Sequence, residues 1–167
     1  MVRYWMPVIT VYLTEELYRK LSEVIRSEDV SPDEFIVKLL IKEFNIDIDP
    51  TDMVEFHLRL CEKFLHEAEK FLARGDYVQA SEKCWGAAAQ IVKALAVKEG
   101  RELRSYKDLW TYIDELAEKL NNRELRRLWR TVNSLHQNFY EGWMPSRDVI
   151  YALEDVKEFI KMLRKYL

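Results

Sequence analysis

Arg130, Asn133 and His136 bring an arginine, an amide and an imidazole to one predicted helix at three-residue steps, residue types that can hold charge and move protons. A histidine titrates near neutral pH and can take a proton from a hydroxyl. An arginine stays charged and can hold a developing oxyanion with a planar fork of donors. Asn133 lies midway between them. On a regular helix, residues six apart are separated by about 120° around the axis and about 9 Å along it. Arg130, Asn133 and His136 therefore form a spiral rather than one face, and two such spirals from two chains could line a common groove. A second reading of His136 stays open beside the first. It falls seven residues after Trp129 and four before Tyr140, a spacing that fits an aromatic seam in which the imidazole is hydrogen-bonded and inert.

Arg123, Arg126, Arg127 and Arg130 recur at three- and four-residue steps. Such a stripe can follow a phosphate backbone, or it can be a solvated face paired with Glu124 and carboxylates elsewhere. His57 and Cys61 share one helix face, but two ligands make no metal site, and His66 is expected to face solvent. Cys61 and Cys84 have no CxxC spacing and read as buried thiols, so neither a zinc centre nor a disulfide framework is indicated. Trp143 and Met144, in a loop closed by Pro145, read either as an exposed contact patch or as a lid on the core. The sequence has no Gly-rich phosphate loop, no paired acids and no Ser-His-Asp arrangement, and no cofactor or metal is expected.

These residues need elements to hold them. The chain of 167 residues is 49% apolar and 33% charged, with four glycines and four prolines. That composition suits long helices around a core and leaves little material for β turns. No apolar run approaches the ~20 residues of a membrane span, and no signal peptide is evident, so a cytoplasmic protein is expected. Asp49-Pro50 opens a helix that should run to about Ala73 and stop at Gly75. The next should run from Asp76 to Gly100. Ser105 and Asp108 form a capping box for another. A helix from about Asn122 to Tyr140 carries Leu125, Leu128, Val132, Leu135 and Phe139, and a last one begins at Ser146. Their apolar spacing predicts a bundle.

The first 48 residues read differently. Val8–Leu13 alternates apolar residues in the strand manner. Two helix starts follow, at Thr14 and at Ser31-Pro32, the second with Asp33 and Glu34 behind it. A lone strand has unpaired edges, and the economical partner is a second copy of itself. The segment ITVYLTEELYRKLSEVIRSEDVSPDEFIVKLLIKEF resembles the ribbon-helix-helix family, which implies strand-paired dimers that commonly read DNA. Thr10 and Tyr12 would lie on the outward, DNA-facing side, yet no Arg or Lys accompanies them. Residues 1–49 hold six Lys/Arg against ten Asp/Glu, and the remainder 20 against 19. An acidic head opposes a polyanion, so dimerisation is favoured over operator binding.

Three phrases of the bundle carry a second resemblance: GDYVQASEKCWGAAAQIVKALA, the pair Leu128-Trp129, and LHQNFYEG. Together they resemble the archaeal PaREP family and, more distantly, the HEPN superfamily of helical bundles. The resemblance implies an antiparallel bundle, frequent dimerisation and archaeal origin; the PaREP family brings no activity with it. HEPN ribonucleases carry an Arg, four to six residues, then a His, and Arg130-x5-His136 fits. This implies His136 as the base for a ribose 2'-hydroxyl, Arg130 on the phosphorane and Asn133 in support. Thr131 follows the Arg where the superfamily typically has Asn, Asp or His.

The expectation is a mainly α chain with a ribbon-helix-helix-like head of one short strand and two helices over 1–48. A five-helix, HEPN-like antiparallel bundle fills 49–167. Its function is expected to be that of a dimeric, nucleic-acid-linked interaction module of toxin-antitoxin or defence type, with metal-independent RNA cleavage open to Arg130 and His136. The alternatives are a non-catalytic scaffold for a protein or small ligand, and a DNA-binding repressor. The partners expected are a second copy through strand pairing and bundle packing, RNA, and a nucleotidyltransferase or antitoxin. DNA is less expected, and no membrane is.

Overall fold

The computed structural model describes residues 6–167, and every regular element in them is an α-helix. In chain order these are α1 (Glu15–Glu28), α2 (Pro32–Phe44), α3 (Pro50–Ala73), α4 (Tyr77–Lys98), α5 (Tyr106–Lys119), α6 (Arg123–Glu141) and α7 (Ser146–Arg164). They divide into two compact units, Met1–Ile48 and Asp49–Leu167.

Polar caps set the helix starts. Side chains of Thr14, Ser31, Asp49, Asp76, Ser105 and Asn122 each accept a backbone N–H from the first turn that follows. Each satisfies a donor that the helix itself cannot. Ser31 and Ser105 form complete capping boxes with Glu34 and Asp108. Asp108 is held below the ordinary carboxylate range by the N–H groups of Arg104 and Ser105. Gly142 closes α6 at φ 61°, a left-handed conformation that costs a side-chain-bearing residue energy.

In the second unit α4 is the axis, packed by α3, α5, α6 and α7. Its Ala80, Ala87, Ala88, Ala94 and Ala96 are completely buried, so its neighbours approach closely on several sides. Gly86 marks a close approach: a Cβ there would stand 3.1 Å from Cδ2 of Phe64 on α3. The outer helices bring larger side chains to this axis, among them Leu125, Leu128 and Val132 of α6 and Val149, Val156 and Phe159 of α7.

Most polar groups inside are matched, the exceptions among the described residues being Trp129 Nε1 and Arg126 Nε, which have no hydrogen-bond partner. The His57 Nδ1–H donates to Gln90 Oε1 at 2.6 Å, joining α3 to α4. Asn138 Nδ2 donates to Ser81 Oγ at 2.9 Å, and Asn138 Oδ1 accepts the Met144 N–H at 2.7 Å. One buried amide thus ties α6, α4 and the α6–α7 loop together. Lys83–Glu67, Lys157–Glu69 and Arg164–Glu62 pair across helices at the surface, at 3.2, 3.0 and 3.1 Å.

The first unit corrects the sequence expectation. Val8–Leu13 forms no strand, and a ribbon-helix-helix head is not what the described residues adopt. Alternation specifies which side chains share a face, but a strand exists only when a neighbour supplies the ladder. No backbone hydrogen bond joins this segment to another among the described residues. The mainly α class holds. Apart from Glu34, whose carboxylate accepts the Ser31 N–H at 3.1 Å, no described residue of this unit is buried. No helix of the described residues is long and apolar enough to cross a membrane.

Candidate functional site

Helix α6 carries the side chains that the sequence singles out, and α4 and α5 supply their surroundings. His136 is half-buried. Its ring lies 4.4 Å from that of Trp85 on α4 and stacks at 5.5 Å on Tyr106 of α5, with the edge of Tyr140 at 5.2 Å. The rings continue inward. Trp85 contacts Trp129 at 5.4 Å, and Trp129 meets Trp110 edge-on at 5.9 Å and Phe159 at 5.6 Å. Such offset and edge contacts suit the ring quadrupoles and add to the burial of the rings themselves. The seam thus runs from half-buried Tyr106, Trp110 and His136 to fully buried Trp129 and Phe159.

Asn133 accepts a hydrogen bond from the Tyr106 hydroxyl. Two members of the Arg130-Asn133-His136 spiral are therefore fastened to α5. Arg130 is exposed and has no ion-pair partner among the described residues, which sets it apart from its neighbours. Arg126 reaches Asp114 at 2.9 Å and Glu118 at 3.0 Å. Arg127 grips Glu124 with two nitrogens, at 2.8 and 2.6 Å, and lies 3.8 Å from Asp155. The Arg127 bonds hold the Glu124 carboxyl below its usual range. Thr131, next to Arg130, donates to Asp155 Oδ2 at 3.1 Å and so serves the α6–α7 contact. The stripe is split: Arg126 and Arg127 are neutralised by carboxylates, whereas Arg123 and Arg130 are exposed without one among the described residues.

Elsewhere the candidates separate. Cys61 and Cys84 are fully buried, and desolvation pushes both thiols up to about 12, out of reach of thiolate chemistry near neutral pH. His66 is exposed. Among the described residues no three His, Cys, Asp or Glu converge as a metal site. Met144 packs against the core, so it acts as the lid, while Trp143 beside it is exposed. In the head, Thr10 and Tyr12 are exposed, with no cation between residues 8 and 13.

Sequence reasoning missed Tyr106 and Trp110. They sit one turn apart near the start of α5, and only their i, i+4 spacing hinted at a shared face. That this face meets His136 and Trp129 depends on how α5 lies against α6, which no local pattern encodes.

The comparisons with known proteins agree with this architecture. The profile of the Archaeal PaREP1/PaREP8 family matches residues 56–160, from early α3 to late α7. A crystallised protein from Sulfolobus solfataricus is similar at 29% identity and a TM-score of 0.56, over 64% of this chain and 95% of its own. No curated protein matches significantly. With its match extending over most of the bundle, the chain belongs to the archaeal PaREP1/PaREP8 family.

Proposed function

We propose that the bundle is a nucleic-acid-linked interaction module that contacts single-stranded RNA at the outer end of its aromatic seam. One observation carries this reading. Partly accessible rings of Tyr106 and Trp110 on α5 adjoin those of His136 and Tyr140 on α6, the helix on which Arg130 lacks a carboxylate partner among the described residues. Single-stranded nucleic acids are held by aromatic faces that stack on bases together with cations that follow the backbone. Arg123 extends the cationic line by two turns. Arg126 and Arg127 do not, because their charges are already met.

A finer version adds metal-independent cleavage of a HEPN type, with His136 as base and Arg130 as the fixed cation. Its support is that the imidazole is only half-buried and that the Arg130 guanidinium stands ready for an anion. Its weakness lies in the 120° between the two positions, which one helix does not bridge. The version therefore calls for two chains that face one another, and a toxin-antitoxin or defence setting with a nucleotidyltransferase or antitoxin partner would follow from it. A non-catalytic scaffold for a protein ligand draws its support from exposed Trp143, Ile150 and Tyr151. The repressor reading draws least, given the acidic head.

The test is equilibrium binding of labelled single-stranded and duplex RNA in EDTA, with product ends analysed in the same samples. Single strands should bind more tightly, and the Arg130→Ala variant should weaken binding uniformly while lowering the salt slope by about 1. Replacing exposed Tyr140 with Ala should cost about 1–3 kcal/mol if a base stacks there. Ends bearing a 2',3'-cyclic phosphate, lost in folded Arg130→Ala and His136→Ala proteins alike, would add cleavage. Wild-type protein that binds no RNA at low salt would sink the proposal and leave the scaffold.

A further inference from the structure

Helices α5 and α6 lie side by side, and two contacts fix their register. The Tyr106 hydroxyl donates to Asn133, and Arg126 reaches Asp114 at 2.9 Å and Glu118 at 3.0 Å. The two contacts run in opposite directions along the helices, so Trp110, midway between Tyr106 and Asp114, stands level with Arg130, between Arg126 and Asn133. Arg126, Arg130 and Asn133 follow one another at steps of four and three, which places them on one stripe of α6. Lys107 precedes Asp114 by seven residues, two turns along one stripe of α5. The stripe that brings Asp114 to Arg126 therefore carries Lys107 on the same side, one turn before Trp110.

The charges along this groove do not balance. Lys107 and Arg130 are exposed, and neither has a hydrogen bond or ion pair among the described residues. Asp108, next to Lys107, is committed elsewhere: its Oδ2 accepts the N–H groups of Arg104 and Ser105 at 2.9 and 3.0 Å. Asp114 and Glu118, the acids of α5 that border the groove, are met by Arg126. Two cations are left flanking half-buried Trp110, with the acids around them already answered.

We propose that the α5–α6 groove is a phosphate subsite, in which Lys107 and Arg130 together hold a backbone phosphate of single-stranded RNA. The inference rests on the reading of the seam as an RNA contact and adds the path of the strand. That path follows the groove between α5 and α6, not the arginine stripe on the outer face of α6. Packed helices stand about 8–10 Å apart, so a long side chain from each rim reaches one group between them. The phosphate receives a point charge from Lys107 and a planar fork of donors from Arg130. Tyr106 and Trp110 adjoin Lys107 on α5, which sets rings for a base beside a cation for its phosphate, the combination that holds single strands. Arg126 acts indirectly: by neutralising Asp114 and Glu118 it keeps two carboxylates from repelling the strand.

The experiment measures binding of a labelled oligouridine to the full chain in EDTA between about 50 and 200 mM salt. Lys107→Ala should lower the salt slope by about 1, the same change expected for Arg130→Ala, and the double variant by about 2. Over that range of salt, one unit of slope means that the wild type loses about fourfold more affinity than either single variant. Lys107→Arg should restore the wild-type slope, which a merely structural role would not predict. Arg127→Ala should leave the slope unchanged, because Glu124 already meets that charge. The thermal transition of each variant serves as a fold control. A wild-type slope in Lys107→Ala, beside a reduced one in Arg130→Ala, overturns the groove and leaves the seam as the RNA contact. An equal loss from Arg127→Ala overturns it too, since the strand then follows the outer face of α6. A wild-type protein that binds no oligouridine removes this inference together with the reading on which it rests.

Discussion

The head and the bundle are written in the same local grammar and end in different physical states. Each has capped helices, acidic residues in first turns and apolar residues at three- and four-residue steps. In α7 that rhythm becomes burial: Val149, Leu153, Val156, Ile160 and Leu163 all lie inside. In α2 the same rhythm leaves Ile36, Leu39, Leu40 and Phe44 at the surface. Caps and periodicity thus determine where a helix begins and which side is apolar. Burial needs an opposing surface, and the bundle supplies its own through α4 while the head does not.

The sharpest way to break this contrast is to remove a large core ring. Trp129→Ala should destabilise the bundle by about 3–5 kcal/mol, seen as a fall in the denaturant midpoint. Leu39→Ala in the head of the monomer should leave that midpoint nearly unmoved. A comparable loss from Leu39→Ala would mean that the head shares the bundle's core. Next in size is Asn138→Ala, which strands the Met144 N–H and removes the bond that Ser81 Oγ accepts, while the Ser81 hydroxyl still donates to the Tyr77 carbonyl, and it should cost about 1–3 kcal/mol. Hydrogen exchange at Met144 should accelerate with it.

Smaller is Ser31→Ala. Loss of its capping box should cost about 1 kcal/mol, which falls on a helix with little else to hold it. Exchange in the first turn of α2 should therefore rise far more than in the first turn of α5 after Ser105→Ala. Smallest is Glu82→Gln. Burial raises the Glu82 carboxyl above its ordinary value, so the unfolded chain ionises first and stability drains away as pH rises through that range. The amide removes this loss. A gain of a few tenths of a kcal/mol is expected at pH 7, discounted for partial solvation, and none at pH 3. An equal gain at both values would assign the effect to packing instead.

Much of the bundle was legible because its signals are local. The Pro50 start, the stop after Ala73, the Ser105 capping box and the Ser146 start of α7 are all set by residues within one turn. That Val8–Leu13 forms no strand was not legible, because alternation there reports a face and says nothing of a ladder. His136 shows the same limit at the site. Its spacing from Trp129 and Tyr140 announced an aromatic neighbourhood on its own helix, and Tyr140 does meet it. Trp85 and Tyr106, which both contact it and each other, belong to two other helices and could be placed only by the packing of α4, α5 and α6. The arginine stripe likewise hid its division, since Asp114, Glu118 and Asp155 come from α5 and α7.

Gly86 under Phe64 has a consequence for alignment. Antiparallel helices lined with small residues can slide, because one methyl group is much like the next and no step is forbidden. Here the ring of Phe64 rests in a notch one residue wide, where even a Cβ would stand at 3.1 Å. Displacing α4 by one position in either direction would bring Trp85 or Ala87 under the ring. The hairpin of α3 and α4 is thereby indexed like a key with a single tooth, and every helix laid on α4 inherits that setting.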